Sequence, residues 1–368
     1  MYSSLTIRRF RCFQELTISG LRRVNLITGV NNAGKTSLLE AIVLLIGGFN
    51  PILPLRVNTL RGMEALVTNP EEQWGWLFHN HDVSQDIEIS ATDSEGGEDT
   101  LRLHLGSAQE YELITKGQRE LPIELSGTLH SLPQGAEMPS TGLGVELPDL
   151  ILDFHEHRGR TVVSRASLAG EGHIRFDQTK QTGFRPGAFL ATRIRTAAED
   201  ADRLSRLKRQ KRDAQVVTAL QAVEPKVQDL TILVMGGRSV IHAEVQGLGL
   251  IPIPMLGEGL GRLLSLTLAV LTTPGGLILV DEIENGVHHS ALGAVWAGLA
   301  TAAMESGTQL VATTHSEECL CAAHNAFLAR KEYDLSVIQL FRVESGVQGR
   351  VLGRELIEVG VDGNIDLR

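Results

Sequence analysis

Cysteine and aromatic residues are both scarce in this sequence. Its 368 residues include three cysteines, Cys12, Cys319 and Cys321, and aromatic side chains make up 4% of the chain. The cysteine count is odd and no C-x-x-C pair occurs, which argues against a secreted fold held together by disulfides. We therefore expect reduced thiols in a cytoplasmic protein, with the cysteines packed as small apolar residues.

Long apolar runs are missing as well. The first residues, Met1 to Phe10, lack the roughly 7–15 consecutive apolar residues of a signal peptide. No stretch approaches the ~18 uncharged apolar residues that a membrane-spanning helix needs. These absences favour a cytoplasmic location and argue against a membrane as a partner.

Basic residues do not dominate the composition. Lys and Arg total 34 against 44 Asp and Glu, for a formal net charge of −10, so general affinity for nucleic acid is not expected. One dense basic segment, residues 203–212, lies within a single long helix that the pattern predicts over residues 197–222. This segment could contact nucleic acid or a partner protein, or it could be an ordinary solvated face.

The clearest motif in the chain is a phosphate-binding loop. Residues 29–36 read GVNNAGKT and match the pattern G-x-x-x-x-G-K-[ST]. A short apolar strand precedes the loop and an apolar helix follows it, which is the context that the motif requires. Glycines let backbone N–H groups turn toward a polyphosphate, and the helix directs its positive end at the same anion. The candidate ATP-binding residues are Gly29, Asn31, Asn32, Ala33, Gly34, Lys35, Thr36 and Ser37.

Two adjacent acids form a second candidate group. Asp281 and Glu282 follow the apolar run LILV, which reads as a central parallel strand buried on both faces. Ligands sit at the carboxyl ends of such strands. We therefore predict that Asp281 joins Thr36 in holding Mg²⁺ and that Glu282 accepts a proton from an attacking water.

Two further groups lie near the acids in sequence. His315 follows another strand-like run, LVATT, and is placed to contact a terminal phosphate. Gly257, Glu258 and Gly259 open an apolar helix, whose exposed N–H groups could bind an anion. Because the loop at residues 29–36 already accounts for one nucleotide, we predict that this turn meets the nucleotide of a second subunit.

The rest of the chain predicts an α/β protein of two or three subdomains. We assign residues 1–50 and 229–368 to the two parts of the core, 51–190 to an antiparallel β-rich and loop insertion, and 191–228 to a helical lid or arm. Period-two alternation at residues 87–91, 101–105 and 121–125 carries the β assignment. Phe10 or Phe13 could pack on an adenine ring or belong to the core. Metal binding is a weak alternative for His79 with His81 and for Asp153, His155 and His157.

The order of these motifs resembles the head of an ABC-type ATPase. The resemblance is to the branch that includes RecF, the SMC proteins and the OLD (overcoming lysogenization defect) family, and it looks closest to OLD-like ATPases. It implies an ABC-type P-loop NTPase head with a mainly parallel sheet, an antiparallel β subdomain and a helical insertion. It also implies ATP and Mg²⁺ as cofactors, with two chains assembled head-to-tail around two ATP molecules.

Residue roles carry over where the motifs match. The resemblance makes Glu282 the general base and His315 the sensor of the terminal phosphate. It places Gly257 to Gly259 in trans, with Asn285 to His288 facing them across the dimer. The usual Leu-Ser-Gly-Gly-Gln signature is altered here, since its serine is replaced by Gly257 and an acid follows, so Arg262 is predicted as a compensating trans cation. The glutamine loop has only Gln178 and Gln181 as candidates.

Two functions remain open at this stage. The first is an ATP-hydrolysing homodimer, or higher homo-oligomer, that acts as a switch for a separate nuclease or toxin in anti-phage defence. It rests on the expectation that the short segment after His315 leaves no room for a Toprim nuclease domain. The second is a RecF-like DNA-repair ATPase that binds DNA directly through residues 203–212.

Overall fold

The chain folds around three β-sheets within the residues that the computed structural model describes, which are 1–63, 70–115, 120–122, 148–169, 173–179, 185–191, 197–344 and 346–363. The strands are β1 (Tyr2–Phe10), β2 (Phe13–Ser19), β3 (Val24–Thr28), β4 (Ile87–Asp93), β5 (Glu98–Gly106), β6 (Glu120–Pro122), β7 (Asp149–His155), β8 (Thr161–Ala169), β9 (His173–Thr179), β10 (Gly187–Leu190), β11 (Val227–Met235), β12 (Arg238–Val245), β13 (Gly249–Pro252), β14 (Leu277–Val280), β15 (Gln309–Thr313), β16 (Leu335–Val343) and β17 (Gly346–Leu352).

Helices cover the sheets. They are α1 (Lys35–Ile46), α2 (Leu53–Thr59), α3 (Pro70–Trp74), α4 (Ala108–Ile114), α5 (Ala197–Arg209), α6 (Asp213–Gln221), α7 (Glu258–Thr272), α8 (Leu292–Ser306), α9 (Glu317–Leu328) and α10 (Arg354–Gly363). None of the described helices is long and apolar enough to cross a membrane.

A six-stranded sheet forms the centre, in the order β10-β14-β15-β3-β16-β17. Its pairings are parallel except for that of β17 with β16. Strands such as β3 and β14 are buried at every residue, as their uninterrupted apolar sequences predict. One face packs on α1 and the other on α5 to α9. The predicted α/β fold with a mainly parallel sheet is therefore confirmed.

An antiparallel sheet of eight strands lies beyond α1, in the order β2-β1-β4-β5-β7-β8-β9-β6. The strands predicted at residues 87–91 and 101–105 fall in β4 and β5. The N-terminal hairpin β1–β2 joins this sheet rather than the parallel one, because β1 pairs with β4. Phe10 and Phe13 are fully buried, so both are core residues. Most of the segment predicted at 121–125 lies outside the described residues.

The predicted single helix over 197–222 is wrong, because α5 ends at Arg209 and α6 starts at Asp213. Lys211 takes a left-handed backbone conformation between them, with φ of 56°. Successive cations at the end of α5 repel one another in a continued helix. The turn instead brings the Lys208 ammonium within 2.9 Å of the Asp213 carboxylate. Both helices pack against the third sheet, β11-β12-β13.

Candidate functional site

The phosphate loop joins β3 to α1 and is held from behind by β16. Gly29 and Gly34 have positive φ, of 140° and 97°. A Cβ added to Gly29 would lie 2.3 Å from the carbonyl oxygen of Leu340, so only glycine fits there. Asn31 and Asn32 are exposed at the tip, and Ala33 is buried beneath it. The loop is therefore exposed on the side where an anion would bind and is packed tightly against β16 on the other side.

Lys35 fills the interior of this loop. Its ammonium donates to the carbonyl oxygens of Gly29 and Val30. Burial lowers the pKa of Lys35, while the carboxylates of Asp281, Glu284 and Glu282 partly offset that effect. A cation surrounded by carbonyl dipoles and acids is ready to exchange those contacts for phosphate oxygens.

Asp281 and Thr36 face each other across the end of the sheet. The Thr36 hydroxyl lies 3.3 and 3.4 Å from the two carboxylate oxygens of Asp281. A carboxylate and a hydroxyl are hard oxygen ligands, the kind that Mg²⁺ prefers together with water and substrate phosphates. The side chains thus fit the predicted Mg²⁺ site.

Glu282 and His315 also come together. The His315 Nε2 atom lies 3.7 Å from a carboxylate oxygen of Glu282, and both side chains are about 40% exposed, at 39% and 41%. The backbone N–H of His315 donates to the Glu284 carboxylate at 2.7 Å, which fixes the position of the loop after β15. An acid and an imidazole are therefore accessible to a ligand beside the metal-binding pair.

Thr313 is a site residue that the sequence did not reveal. Its buried hydroxyl donates to the Asp281 carboxylate at 2.7 Å and accepts from the backbone N–H of Glu282 at 2.8 Å. The register that pairs Ala312 with Val280 places it there. Thr313 thus orients the two acids together. The sequence feature that could have identified Thr313 is a polar residue at the end of an apolar strand, where the predicted acids also lie.

We expect Thr313→Val to lower ATP turnover about 10- to 100-fold. The substitution keeps the side-chain shape but leaves the Glu282 N–H unpaired, and losing a hydrogen bond to a charged group costs about 1.5–3 kcal/mol. Steady-state phosphate release at saturating Mg²⁺ measures the effect. Thr313→Ser, which retains the hydroxyl, is the control and should stay within about threefold of the native rate. Equal turnover by the valine variant would contradict this role.

A buried ion cluster lies at the foot of the loop, and the sequence analysis also missed it. The Glu40 carboxylate, 1% exposed, pairs with Arg11 and Arg61, each at 2.7 Å. Arg61 also donates to the Ser37 hydroxyl at 2.9 Å. Burial lowers the pKa of Arg11 to about 10. The cluster anchors the first turns of α1, and its sequence signal was a single acid in an otherwise apolar helix.

The glycine-rich turn at residues 257–259 opens α7. Gly257 caps the helix with φ of 101°, no side-chain hydrogen bond serves as its cap, and the residue is exposed. Glu258 is exposed, and Gly259 packs so tightly on the Gly286 carbonyl that a Cβ would lie 2.6 Å from it. The structure thus brings this turn against the loop that begins at Asn285, in the same chain.

Arg262 does not lie where the trans role requires. It is 4% exposed, and its guanidinium donates to the backbone carbonyl of Asp281 at 2.9 Å within its own chain. Helix α7 is buried on nearly all sides, so even a charged residue in its second turn can face the interior of the protein. A buried and engaged guanidinium cannot present its charge to a second subunit, so the predicted role as trans cation is withdrawn.

Three of the six cations in the basic segment 203–212 pair with acids of the same chain. Arg203 pairs with Glu199, Arg206 with Asp202 and Lys208 with Asp213 and Asp229. In the described part of the chain no group of three or more His, Cys, Asp and Glu residues is arranged to hold a metal, so the alternative at Asp153, His155 and His157 finds no support, while that at His79 with His81 stays a prediction. Gln178 lies on β9, and Gln181 falls outside the described residues.

The phosphate loop, the acid pair and the histidine converge where β3, β14 and β15 end, which is where open α/β sheets bind ligands. This fold and site define a P-loop ATPase head of the ABC type. A family model described as "AAA domain, putative AbiEii toxin, Type IV TA system" matches residues 24–320. The chain belongs to this family.

Two relatives of the chain are consistent with this class of protein. The chain is 21% identical over 336 residues to an "ATP/GTP phosphatase" of Helicobacter pylori, covering 86% of each protein. It is 35% identical over 122 residues to the "DNA replication and repair protein RecF" of Idiomarina loihiensis, covering 33% of this chain and 30% of RecF. The chain thus spans under a third of that RecF protein.

Solved structures include distant SMC heads. An SMC head bound to the C-terminal winged-helix domain of ScpA aligns with a TM-score of 0.49 at 12% identity, over 96% of this chain and 98% of that one. The SMC head domain from Thermotoga maritima gives 0.46 at 11% identity, over 96% and 99%. The RecF part of the predicted resemblance is confirmed, and the OLD assignment stays a prediction.

Proposed function

We propose that this protein binds and hydrolyses ATP with Mg²⁺, using its own chain for one half of each site. The observation that carries the proposal is the meeting of Thr36 with Asp281 and of Glu282 with His315 at one edge of the sheet. The name of the Helicobacter relative supports hydrolysis of a nucleoside triphosphate.

Each side chain has a separate role in this proposal. Lys35 and the loop N–H groups bind the phosphates, and Thr36 and Asp281 hold Mg²⁺, which would offset phosphate charge. Glu282 accepts the proton of the attacking water, and its exposed carboxylate is open to solvent for that purpose. His315 donates toward the terminal phosphate and steadies the charge that develops there.

The second half of each site is proposed to come from another copy of the chain. The start of α7 is exposed at Gly257 and Glu258 and carries no side-chain cap, so its N–H groups are open to an anion from outside. A head-to-tail homodimer would place this turn on the ATP held by the partner's loop. Hydrolysis then requires two chains, although one chain suffices to bind ATP.

Mixing two defective chains tests this arrangement. Lys35→Ala removes the phosphate cation, and Glu258→Trp blocks the exposed start of α7. Neither variant alone should hydrolyse ATP, but their mixture should regain activity. In each heterodimer, the intact phosphate loop of the Glu258→Trp chain meets the intact start of α7 of the Lys35→Ala chain, which gives one complete site. Phosphate release from the mixture is the measurement, with each variant alone at the same total concentration as the control. Absence of recovery in a mixture shown to form heterodimers would exclude the trans arrangement.

We further propose that the ATP-bound state acts as a switch for a separate nuclease or toxin in anti-phage defence, in the manner of OLD-like ATPases. The family description, which names a putative toxin of a type IV toxin–antitoxin system, supports such a setting. Phage challenge of cells that express the native chain or Lys35→Ala, together with the neighbouring genes, tests this role. Equal protection by both would reject an ATP-dependent switch.

Direct DNA binding of the RecF kind is the alternative function. The match to RecF over 122 residues favours it. The ion pairs of Arg203, Arg206 and Lys208 weigh against it, because a cation that already pairs with an acid is less available to a DNA phosphate. A salt titration separates the two functions, since direct binding must weaken steeply as salt rises. Absence of DNA binding at low salt would leave the switch as the proposed function.

A further inference from the structure

One peptide group in the site is held from both sides. It is the peptide between Asp281 and Glu282. Its carbonyl oxygen accepts from the Arg262 guanidinium at 2.9 Å, and its N–H donates to the Thr313 hydroxyl at 2.8 Å. Arg262 lies on α7 and Thr313 on β15, so two separate elements form hydrogen bonds to the same peptide group. This arrangement fixes how the chain leaves β14.

The residue that follows this peptide has an unusual backbone. Glu282 has φ of 47°, in the left-handed region that side-chain-bearing residues rarely adopt. Such a conformation costs energy and persists only where neighbouring groups over-determine it. The angle φ describes rotation directly after the held peptide, so the hydrogen bonds from Arg262 and to Thr313 act on it directly. The backbone N–H groups of Ile283 and Asn285, which donate to the carbonyls of Thr313 and Glu282 at 3.1 and 3.0 Å, hold the turn that follows. The result is a carboxylate directed at His315.

Arg262 is a buried charge on an otherwise largely apolar helix. Taking a guanidinium out of water is costly unless it is paired and hydrogen-bonded, and an apolar side chain would suit the surrounding leucines of α7 better. A helix so thoroughly apolar gains no solubility from this charge. What the arginine does supply is a hydrogen bond aimed at a carbonyl next to the proposed general base.

We propose that Arg262 is a positioning residue for hydrolysis, which sets the Glu282 carboxylate by holding the 281–282 peptide. The inference rests on the proposed ATPase function. It adds a structural connection between the start of α7 at Gly257 and the Glu282 carboxylate. Arg262 lies in the second turn of the helix that Gly257 opens. If the exposed start of α7 shifts when it engages a second subunit's nucleotide, the hydrogen bond from Arg262 carries that shift to the base of its own site.

Arg262→Met tests the proposal, because it keeps the length of the side chain and removes the donor. We expect kcat to fall about 10- to 100-fold while the KM for ATP changes less than about twofold, since a group that acts only on the base leaves binding intact. Arg262→Lys, which retains a donor, should recover part of the loss. Arg165→Met is the control, because Arg165 is also largely buried, but it pairs with Asp149 and Asp177 in the antiparallel sheet, away from the site.

A double variant separates positioning from general damage. If Arg262 and Thr313 hold the same peptide, Arg262→Met with Thr313→Val should be no worse than the more defective single variant. Independent roles would instead multiply the two losses. Multiplied losses, native turnover by Arg262→Met, or a parallel loss of ATP affinity would each overturn the proposal.

A crystal structure of Arg262→Met gives a readout that does not depend on hydrolysis. The proposal expects the 281–282 peptide to rotate, φ of Glu282 to become negative, and the carboxylate to leave His315. An unchanged, left-handed Glu282 would overturn the inference even if the protein is an active ATPase. If the native protein hydrolyses no ATP and the peptide still rotates in the variant, the proposed function fails while the structural link stands.

Discussion

Replacing Lys35 by alanine is expected to weaken ATP binding about 10²- to 10⁴-fold. The lysine supplies the positive charge inside the loop, and one or two charge-assisted hydrogen bonds to phosphate are worth about 1.5–3 kcal/mol each. The acids make the loss worse. Asp281, Glu282 and Glu284 all act electrostatically on Lys35, so its removal leaves carboxylates that repel a polyphosphate. Isothermal titration with ATP and Mg²⁺ measures the change.

The control for this variant is Lys331→Ala, because Lys331 is exposed and lies outside the site, in the loop between α9 and β16. It should bind ATP as the native chain does. Thermal unfolding without nucleotide should be nearly the same for all three proteins, whereas added ATP should stabilise only the native chain and the control. Undiminished ATP binding by Lys35→Ala would show that residues 29–36 are not the nucleotide site.

Glu282→Gln is expected to lower kcat about 10²- to 10⁴-fold while leaving ATP affinity close to native. Glutamine preserves the shape of the side chain and its contact with His315 but cannot accept a proton, and general base catalysis contributes rate factors of this size. Because ATP then persists, a dimer that forms around ATP should accumulate. Single-turnover phosphate release measures the first effect, and light scattering with and without ATP measures the second.

Two comparisons make this result specific. Glu332→Gln changes an exposed acid outside the site and should have no effect on turnover. Glu284→Gln changes the acid that holds the His315 N–H, so it should disturb the histidine without removing the base. Native turnover by Glu282→Gln combined with complete loss in Glu284→Gln would transfer the role of base to Glu284.

Much of the site could be predicted from sequence because its chemistry sits at the ends of strands. A run such as LILV is buried on both faces wherever it falls in a parallel sheet, so the acids after it must emerge at the carboxyl edge. The phosphate loop carries its own local context of strand and helix. Neither inference required knowledge of how strands pair across the sheet.

The missed features depend on that pairing and on packing. Thr313 became part of the site through the register of β15 against β14, which no local pattern specifies. Arg262 was expected to act in trans because the signature motif before it is altered, yet α7 is buried on nearly all sides and its sequence has no polar stripe that marks an exposed face. The Arg11–Glu40–Arg61 cluster joins three separate segments. In each case the tertiary structure, rather than the local sequence, decides where the polar group points.

The place of β3 in the parallel sheet has a consequence for how the protein matures on the ribosome. This strand carries the phosphate loop, but both of its neighbours, β15 and β16, come from the distant end of the chain. The bond from Asn25 to the Leu310 carbonyl spans 285 residues. Contacts of such long range form late and slow folding. A nascent chain therefore cannot complete its phosphate loop early, and ATP can be captured only once β15 and β16 have been synthesised and have docked on either side of β3.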